Sequence, residues 1–482
     1  MTLKIVLGLL VMSLFTTTLL AQEDQAFYPE EKFSADSLRT WTTELMDGLS
    51  ETHPGFYRYT PKKKFDSIIK TTLSSFTDSL NTIDYYRTIK PLFAQIGCLH
   101  TSITLSDQFE EYIDKIYKLF PFEVYITENN QVFITKNHSI NKSIRLESEL
   151  LSINGKPIKD ILEMLMKSIP SDGYNTTLKT LLLNHRFAFW YRSMIDLSEN
   201  FKIATRFNNN VETFNLNGIT SAEFESIDSL QSVNSEPLDF KINDSKGVLT
   251  IKSFAKTDIG NNGQNFKRYI KSVFKTLNEE KIENLIIDLR YNTGGTDGNA
   301  AFLASHFFDK SFRYWDKIEV TKEIAGQIKG TYRIFYKKPV KVDSKYHWIG
   351  ARWWLTKEFD YYKVQKPAKN NYKGKTYIIT NGLCMSSCSD FVAIISDNQK
   401  TKIIGQESGG GFQGNTSGMM PTNSFAKNMT ITIPLQKYTN AVDLKKNKGR
   451  GTIPDYIVQP TLTDWIDKKD IEMNFVNKLI KK

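Results

Sequence analysis

A serine on a predicted strand-to-helix turn is the first residue of this sequence that could do chemistry. The segment Ile378–Asp390 (IITNGLCMSSCSD) is an apolar run that breaks at Asn381-Gly382, and a helix is predicted to begin near Ser386 or Ser387. A hydroxyl at a helix N-terminus lies beside free backbone N–H groups and the positive end of the helix dipole, which favour a developing oxyanion. Serine is also a preferred helix N-cap, so a purely structural role is the alternative.

Two adjacent glycines follow a second predicted buried strand. The segment Asp288–Gly295 (DLRYNTGG) ends in Gly294 and Gly295, and adjacent glycines let the backbone approach a ligand closely. A tight turn between a strand and a helix explains the pair equally well. The segment lacks the glycine spacing of a nucleotide-binding loop, so it does not indicate a nucleotide cofactor.

A nucleophilic serine needs a base, and histidine is the side chain that titrates near neutral pH. Only His100 lies where an apolar helix ends at a glycine and precedes a strand-like run, Ser102–Leu105. A structural histidine is the alternative at such a position. The six candidates are His53, His100, His138, His185, His306 and His347.

Length and composition restrict what can position these residues. The chain has 482 residues, a formal charge of +10, three cysteines and 40% hydrophobic residues, which excludes a disordered chain and a disulfide scaffold. The basic residues form no clustered stripe along the sequence, so we expect no nucleic-acid partner.

Residues 1–21 have one lysine and a short apolar run ending in Ala21, as a cleaved secretory signal does. A single membrane anchor is the alternative; otherwise we expect an exported protein with no stable membrane span.

The pattern along the rest of the chain predicts three regions. A helical N-terminal segment (22–117) carries His100, and a β-rich domain (118–235) follows it. Strands and helices then alternate through residues 236–482, which predicts an α/β layer with a parallel sheet. Residues 310–373, rich in Tyr, Trp and Lys, interrupt this alternation and are interpreted as an insertion.

Taken together, these segments resemble the C-terminal processing and tricorn-like serine peptidases, which include tail-specific proteases. Leu285–Gly295 is similar to that family's strand ending in Asp-Leu-Arg-x-Asn-x-Gly-Gly, and Asn381–Phe391 to its nucleophile segment. Further matches lie at Ile404–Gly410 (IGQESGG) and Gly451–Asp455 (GTIPD). His53–Tyr57 and Leu99–Thr101 resemble the N-terminal motifs of the histidine-bearing, tricorn-like branch.

The resemblance implies a fold and a reaction. The fold is α/β, with a crotonase-like (ClpP-like) catalytic layer, a PDZ-like β-rich middle domain around Glu149–Ile158 and a helical N-terminal segment. The reaction is hydrolysis of peptides or unfolded polypeptides through an acyl-enzyme, without a cofactor or metal. The alternative is a catalytically inactive periplasmic or secreted binding protein on the same fold. The implied nucleophile is Ser386, the base His100, and the oxyanion donors the N–H groups of Gly294 or Gly295 and Ser387.

Departures from the family pattern favour histidine over lysine as the base. The position of the lysine in the Ser/Lys branch is occupied here by Gly411, and Leu99 replaces a serine that helps to orient the imidazole in tricorn-like members. The third, orienting residue is not identified by sequence; Asp443 and Asp455 are candidates.

The three cysteines lie close to these motifs. Cys98 is two residues from His100, while Cys384 and Cys388 flank Ser386. If the serine and the histidine meet, a disulfide between Cys98 and Cys384 or Cys388 is possible in an oxidising compartment. A zinc site is the alternative, although the usual paired ligand spacing is missing.

Overall fold

The structure is a computed structural model that describes residues 27–229, 236–243 and 245–481. The predicted signal segment, residues 1–21, lies outside these residues, as does part of the Ser-rich stretch before residue 244. Within the described ranges, no helix is both long enough and apolar enough to cross a bilayer.

The N-terminal region is helical, as predicted. Side chains that accept backbone N–H groups begin its helices: Ser34 caps the first, Asn81 the third and Ser106 the fourth. The third helix ends at Gly97 in the left-handed conformation, as helix C-termini often do. The elements are β1 (Lys32–Phe33), α1 (Ala35–Thr52), α2 (Lys62–Ser75), β2 (Leu80–Asn81), α3 (Thr82–Ile96), β3 (Ser102–Leu105) and α4 (Asp107–Ile116).

The middle region is built on an antiparallel sheet with the order β4-β5-β6-β8-β9. One long helix here was missed by sequence analysis, which predicted a β-rich domain over residues 118–235. Thr177–Met194 is buried on several sides, so its sequence has no single apolar stripe. The elements are β4 (Phe122–Ile126), β5 (Val132–Asn137), β6 (Glu149–Ile153), β7 (Lys156–Pro157), α5 (Ile158–Ser168), α6 (Thr177–Met194), β8 (Asn200–Phe207), β9 (Asn210–Asn217) and α7 (Ser221–Ser229).

The C-terminal region alternates strands and helices. Its elements are β10 (Leu238–Asn243), β11 (Lys246–Ile251), α8 (Lys256–Asn261), α9 (Phe266–Glu279), β12 (Asn284–Asp288), α10 (Asp297–Ala304), β13 (Trp315–Val320), α11 (Lys322–Gln327), α12 (Tyr332–Phe335), β14 (Val340–Val342), β15 (Lys345–His347), β16 (Lys375–Thr380), α13 (Ser387–Ser396), β17 (Thr401–Gly405), β18 (Thr416–Ser417), β19 (Thr422–Phe425), β20 (Met429–Thr432), β21 (Gln436–Asn440), β22 (Tyr456–Ile457), α14 (Leu462–Ile466) and α15 (Ile471–Ile480).

A six-stranded sheet with the order β10-β11-β12-β16-β17-β22 forms the centre of this region. Its strands are parallel except for β10, and β12 and β16 lie side by side. Because parallel neighbours end at the same edge of a sheet, the turns after Asp288 and Thr380 meet there. The predicted α/β layer is therefore present, and its strand ends bring the Gly-Gly turn beside the serine turn.

The predicted insertion, residues 310–373, belongs to a second sheet. Its strands β13, β14 and β15 join β21 and β18 in the order β14-β15-β13-β21-β18. A third, small sheet pairs β19 and β20 with β3 from the N-terminal region. That antiparallel pairing sets Ser102 opposite Thr432 and so attaches the segment after His100 to the C-terminal region.

Candidate active site

Ser386 lies on the turn between β16 and α13, as predicted, with φ 52° and ψ −131°. A positive φ is uncommon for a residue with a side chain, and such strain is typical of functional turns. Although Ser386 occupies the N-cap position, its side chain makes no capping hydrogen bond. The structural alternative raised by the sequence is therefore not adopted, and the hydroxyl is left for another partner.

That partner is His100. Its Nε2 lies 3.2 Å from the Ser386 Oγ, although 286 positions separate the two residues in the chain. This distance is within the reach required of a nucleophile and its base. Both side chains remain partly exposed, so a substrate can approach the hydroxyl.

Several contacts hold the segment around His100. Gly97 ends α3 just before it, and β3 pairs with β20 just after it. The Lys90 ammonium is buried and donates to the Ile103 carbonyl at 2.6 Å, on the free side of β3. Burial lowers the pKa of Lys90 from 10.5 to about 8.

Burial also lowers the pKa of His100, and this effect is opposed by the charge of Asp172 and by the Thr416 carbonyl. A lowered pKa keeps the imidazole neutral near pH 7, as a base must be before it takes a proton. The Nδ1 atom of His100 is buried and has no hydrogen-bond partner of standard geometry among the described residues. No carboxylate in the described part of the chain therefore bonds directly to the imidazole.

The Gly-Gly turn packs directly on the nucleophile. Gly294 has φ 101°, and a Cβ added there would lie 2.7 Å from the Ser386 Cβ. The Gly294 N–H donates to the Asn292 Oδ1 at 2.9 Å and is already occupied. Among the described residues, the N–H groups of Gly295 and Ser387 have no acceptor, so two of the three predicted donors are free.

Two asparagines join this turn to the serine turn. The buried Asn292 accepts the Met385 N–H on its carbonyl at 3.2 Å and donates its amide to the Ile251 carbonyl at 3.0 Å. Asn381 accepts the N–H groups of Tyr291 and Leu383, each at 3.1 Å. The side-chain oxygens of both residues accept N–H groups of these turns and so stabilise them.

A second serine, Ser389, secures the other side of the turn that carries Ser386. The Ser389 hydroxyl donates to the Cys384 carbonyl at 2.7 Å and accepts the Gly410 N–H at 2.9 Å. It therefore ties the first turn of α13 to the loop after β17.

Sequence analysis also missed Asp390. Its carboxyl is buried below the nucleophile and accepts the amides of Asn415 and Asn440, each at 3.0 Å. Burial raises its pKa to about 7, against the opposing effect of these donors. The sequence signal for Asp390 was its position as an acidic residue directly before the apolar helical run FVAII.

The remaining histidine candidates lie apart from Ser386. His53 is nearest to the site: its Nδ1 accepts the Gly55 N–H at 3.1 Å, and its Nε2 lies 2.9 Å from the Thr101 Oγ1. Burial lowers the pKa of His53 to about 3, so it stays neutral and supports the segment that carries the base. The others contact different partners: His138 pairs with Glu123, His185 packs on Trp465, His306 on Phe274, and His347 lies in β15.

The two sequence candidates for the orienting residue bond elsewhere. Asp443 accepts the Lys445 N–H at 2.9 Å, and Asp455 accepts the Ile403 N–H at 2.8 Å. Neither makes a contact with His100. The carboxylate that acts on the imidazole is Asp172.

All three cysteines are buried and free in the structure. The Cys98 thiol lies 3.5 Å from the Thr416 carbonyl, whereas the sulfurs of Cys384 and Cys388 lie 2.7 Å from each other. The pairing of Cys98 with either of the others, considered from sequence, is thus not the arrangement found. Within the described residues, no group of three His, Cys, Asp or Glu side chains is placed to hold a metal ion.

A cavity of about 720 Å³ lies between the middle sheet and the C-terminal region. Its walls include Tyr125, Thr177, Lys179, Glu407, Arg450 and Trp465. Glu407 directly precedes the loop that packs against the nucleophile, so the cavity and the site share one segment.

The overall fold resembles solved structures of CPAF. Mature CPAF in complex with lactacystin is 12% identical, with 92% of this chain and 97% of that chain covered and a TM-score of 0.62. A CPAF mutant is 11% identical, with 92% and 98% covered and a TM-score of 0.61. At this identity the likeness shows the fold alone. No curated protein matches the sequence significantly.

The chain has a mixed α/β architecture, and a large part of its sequence matches a peptidase family. Residues 245–458 match the profile of peptidase family S41. This part of the chain is therefore a peptidase family S41 domain, which confirms the resemblance to the processing and tricorn-like peptidases. A match to a peptidase family implies peptide or protein substrates.

Proposed function

We propose that the protein is an exported serine-type endopeptidase that works through an acyl-enzyme on Ser386. The observation that carries the proposal is the 3.2 Å contact between the Ser386 Oγ and the His100 Nε2. The strained backbone of Ser386 and the two free N–H groups beside it add support. A catalytically inactive binding protein would not need a serine hydroxyl in contact with an imidazole beside free N–H groups.

In the first half of the reaction, His100 takes the Ser386 proton on Nε2 as Oγ bonds to the peptide carbonyl carbon. The N–H groups of Gly295 and Ser387 hold the tetrahedral oxyanion, and each such donor is worth about 10²–10³ in rate. The imidazolium then protonates the leaving nitrogen, the C–N bond breaks, and the acyl group stays on Oγ. Proton transfer of this kind contributes about 10²–10⁴.

In the second half, water attacks the acyl carbon and gives a proton to His100. The carboxylic product leaves as the proton returns to Oγ. The proton on the resting imidazole must lie on Nδ1, because Nε2 has to accept. The Thr416 carbonyl and the Asp172 charge both favour a protonated ring.

A fluorophosphonate probe tests the proposal without knowledge of the substrate. We expect wild type to be labelled on Ser386, Ser386→Ala not at all, and His100→Gln at least about 10³ times more slowly. Ser272→Ala, an exposed serine on α9, is the matched control and should label as wild type does. Absence of labelling in correctly folded wild type would instead favour the binding protein.

We also propose two features of organisation. The six-stranded sheet is the crotonase-like catalytic layer, and the β4–β9 sheet is a PDZ-like domain whose exposed edge strand β9 would accept an extended peptide. Residues 1–21 would be removed on export, so N-terminal sequencing of the mature protein should start at Gln22. Retention of Met1 would contradict export by this route.

A further inference from the structure

Asp172 lies in the loop between α5 and α6, and its buried carboxylate bridges the two sides of the site. One oxygen accepts the Leu99 N–H at 3.0 Å, and the other accepts the Gly411 N–H at 2.9 Å. Leu99 directly precedes the base in the chain. Gly411 belongs to the loop after β17, which packs against the nucleophile.

The neighbours of Asp172 repeat this bridge. The Gly173 N–H donates to the Gly97 carbonyl at 2.9 Å, on the side of the base. The Asn175 amide donates to the Ser408 carbonyl at 2.9 Å, on the side of the nucleophile. The loop 171–175 is therefore fixed to both segments, with the carboxylate at its centre.

The segment that receives these bonds is in close contact with the serine turn. A Cβ added to Gly410 would lie 2.7 Å from the Ser389 side chain and 3.1 Å from the Ser386 N. A displacement of this loop therefore displaces the nucleophile. Misplacement of reacting groups by about 1 Å can cost about 10² in rate.

We propose that Asp172 is a positioning residue of the active site, which holds His100 at the correct distance from Ser386 and stabilises the imidazolium through its charge. This proposal rests on the proposed function, since the imidazolium forms only if His100 acts as the base. Asp172 makes no hydrogen bond to the imidazole among the described contacts. It acts through the backbone of Leu99 and through space.

Asp172 is the group that can stabilise the His100 imidazolium by its charge. Four other titratable groups interact with His100 or with Asp172: His53, Tyr59, Cys98 and Asp390. Burial lowers the pKa of His53 to about 3 and raises the pKa of Cys98 to about 12, and it raises the pKa of Tyr59 further. These three groups are neutral at pH 7. Asp390, with a pKa of about 7, lies on the nucleophile's side.

The first experiment measures the pKa of His100 by NMR titration of histidine-labelled protein, with His100→Gln to assign the signal. Asp172→Asn removes a negative charge that favours the imidazolium, so the pKa of His100 should fall below its wild-type value. Asp455→Asn is the matched control, because Asp455 also accepts a buried backbone N–H but lies elsewhere. An unchanged His100 pKa in folded Asp172→Asn would overturn the electrostatic part of the proposal.

The second experiment measures the rate of fluorophosphonate labelling against pH. In Asp172→Asn the plateau rate should fall about 10–10²-fold and the acid limb should move to lower pH, whereas Asp455→Asn keeps the wild-type profile. If Asp172→Asn loses thermal stability but keeps the wild-type dependence of the labelling rate on pH, the role of Asp172 is merely structural. If wild type is not labelled, the proposed function fails, yet the NMR titration still reports the coupling between Asp172 and His100.

Asp172→Glu separates charge from position. The longer side chain keeps the charge but cannot keep both bonds, so the His100 pKa should stay near wild type while the labelling rate falls about tenfold. This variant also serves if Asp172→Asn does not fold. A wild-type rate in Asp172→Glu would contradict the positioning role.

Discussion

The two sides of the candidate site are built by different means. Ser386 is placed by elements close to it in sequence: strand β16, a short turn and helix α13. His100 is placed by long-range contacts, which include the Asp172 bridge, the pairing of β3 with β20 and the buried Lys90. The backbone course at Ser386 is therefore set mainly by neighbouring elements, although the Gly-Gly turn packs against it, whereas the position of His100 depends on several distant segments.

The buried titratable groups on the two sides differ as well. On the base's side, burial lowers the pKa of His53, while on the nucleophile's side it raises the pKa of Asp390. These shifts have opposite consequences for stability as the pH changes. Acid should thus weaken the base's side and strengthen the nucleophile's side.

The largest effect is expected at His53. The pKa of His53 is about 3 in the folded state and 6.5 ordinarily, so the unfolded chain binds more protons between these two pH values. The free energy of unfolding therefore decreases as the pH is lowered through this range. The full shift corresponds to about 5 kcal/mol, lost between pH 6.5 and pH 3. Chemical denaturation over this range should show that His53→Asn lacks this loss.

His347→Asn is the control for that experiment, because it makes the same change in a half-buried strand residue. It should keep the acid sensitivity of wild type. An equal acid sensitivity in wild type and His53→Asn would remove His53 as its source.

A somewhat smaller effect of opposite sign is expected at Asp390. Its pKa is about 7 in the folded state and 3.8 ordinarily, so the folded chain binds more protons in this window and stability falls as the pH rises. The shift corresponds to about 4 kcal/mol between about pH 4 and pH 7. In Asp390→Asn the free energy of unfolding should lack this dependence. A parallel slope for both proteins would contradict the assignment.

The smallest effect, but the most specific to the nucleophile, is expected for Gly294→Ala. The added Cβ would lie 2.7 Å from the Ser386 Cβ and 2.9 Å from the Met385 carbonyl oxygen, in a backbone conformation that favours glycine. Fluorophosphonate labelling should slow about 10²-fold. Gly48→Ala, in open space on α1, is the control and should label normally. If Gly294→Ala is labelled at the wild-type rate, the turn can shift to accept the methyl group without slowing the reaction of Ser386.

The same contrast explains what could be predicted from sequence. Strands β12 and β16 are continuous apolar runs, and Ser386 and the Gly-Gly turn follow them directly, so local patterns indicated them. His100 was selected by its place after a helix-ending glycine and by family resemblance. Its contact with Ser386 could only be hypothesised, because no local pattern specifies a contact across 286 positions.

Asp172 and helix α6 show where sequence reasoning stopped. Asp172 stands in a Ser-Asp-Gly turn, which looks like any loop, and its function comes from N–H groups of two distant segments. Helix α6 is apolar on several faces because it packs against both the middle sheet and α5, so no helical stripe appears. Both depend on tertiary contacts that a single sequence does not display.

The pairing of β3 with β20 has a consequence for biosynthesis. A nascent polypeptide that has not yet reached Thr432 has no partner for the strand after His100. Since chains emerge from the ribosome N-terminus first, His100 is synthesised early, whereas the strand that pairs beside it, Met429–Thr432, lies near the end of the chain. On the proposed function, a chain truncated before β20 would lack this anchor for the segment after His100 and would be inactive.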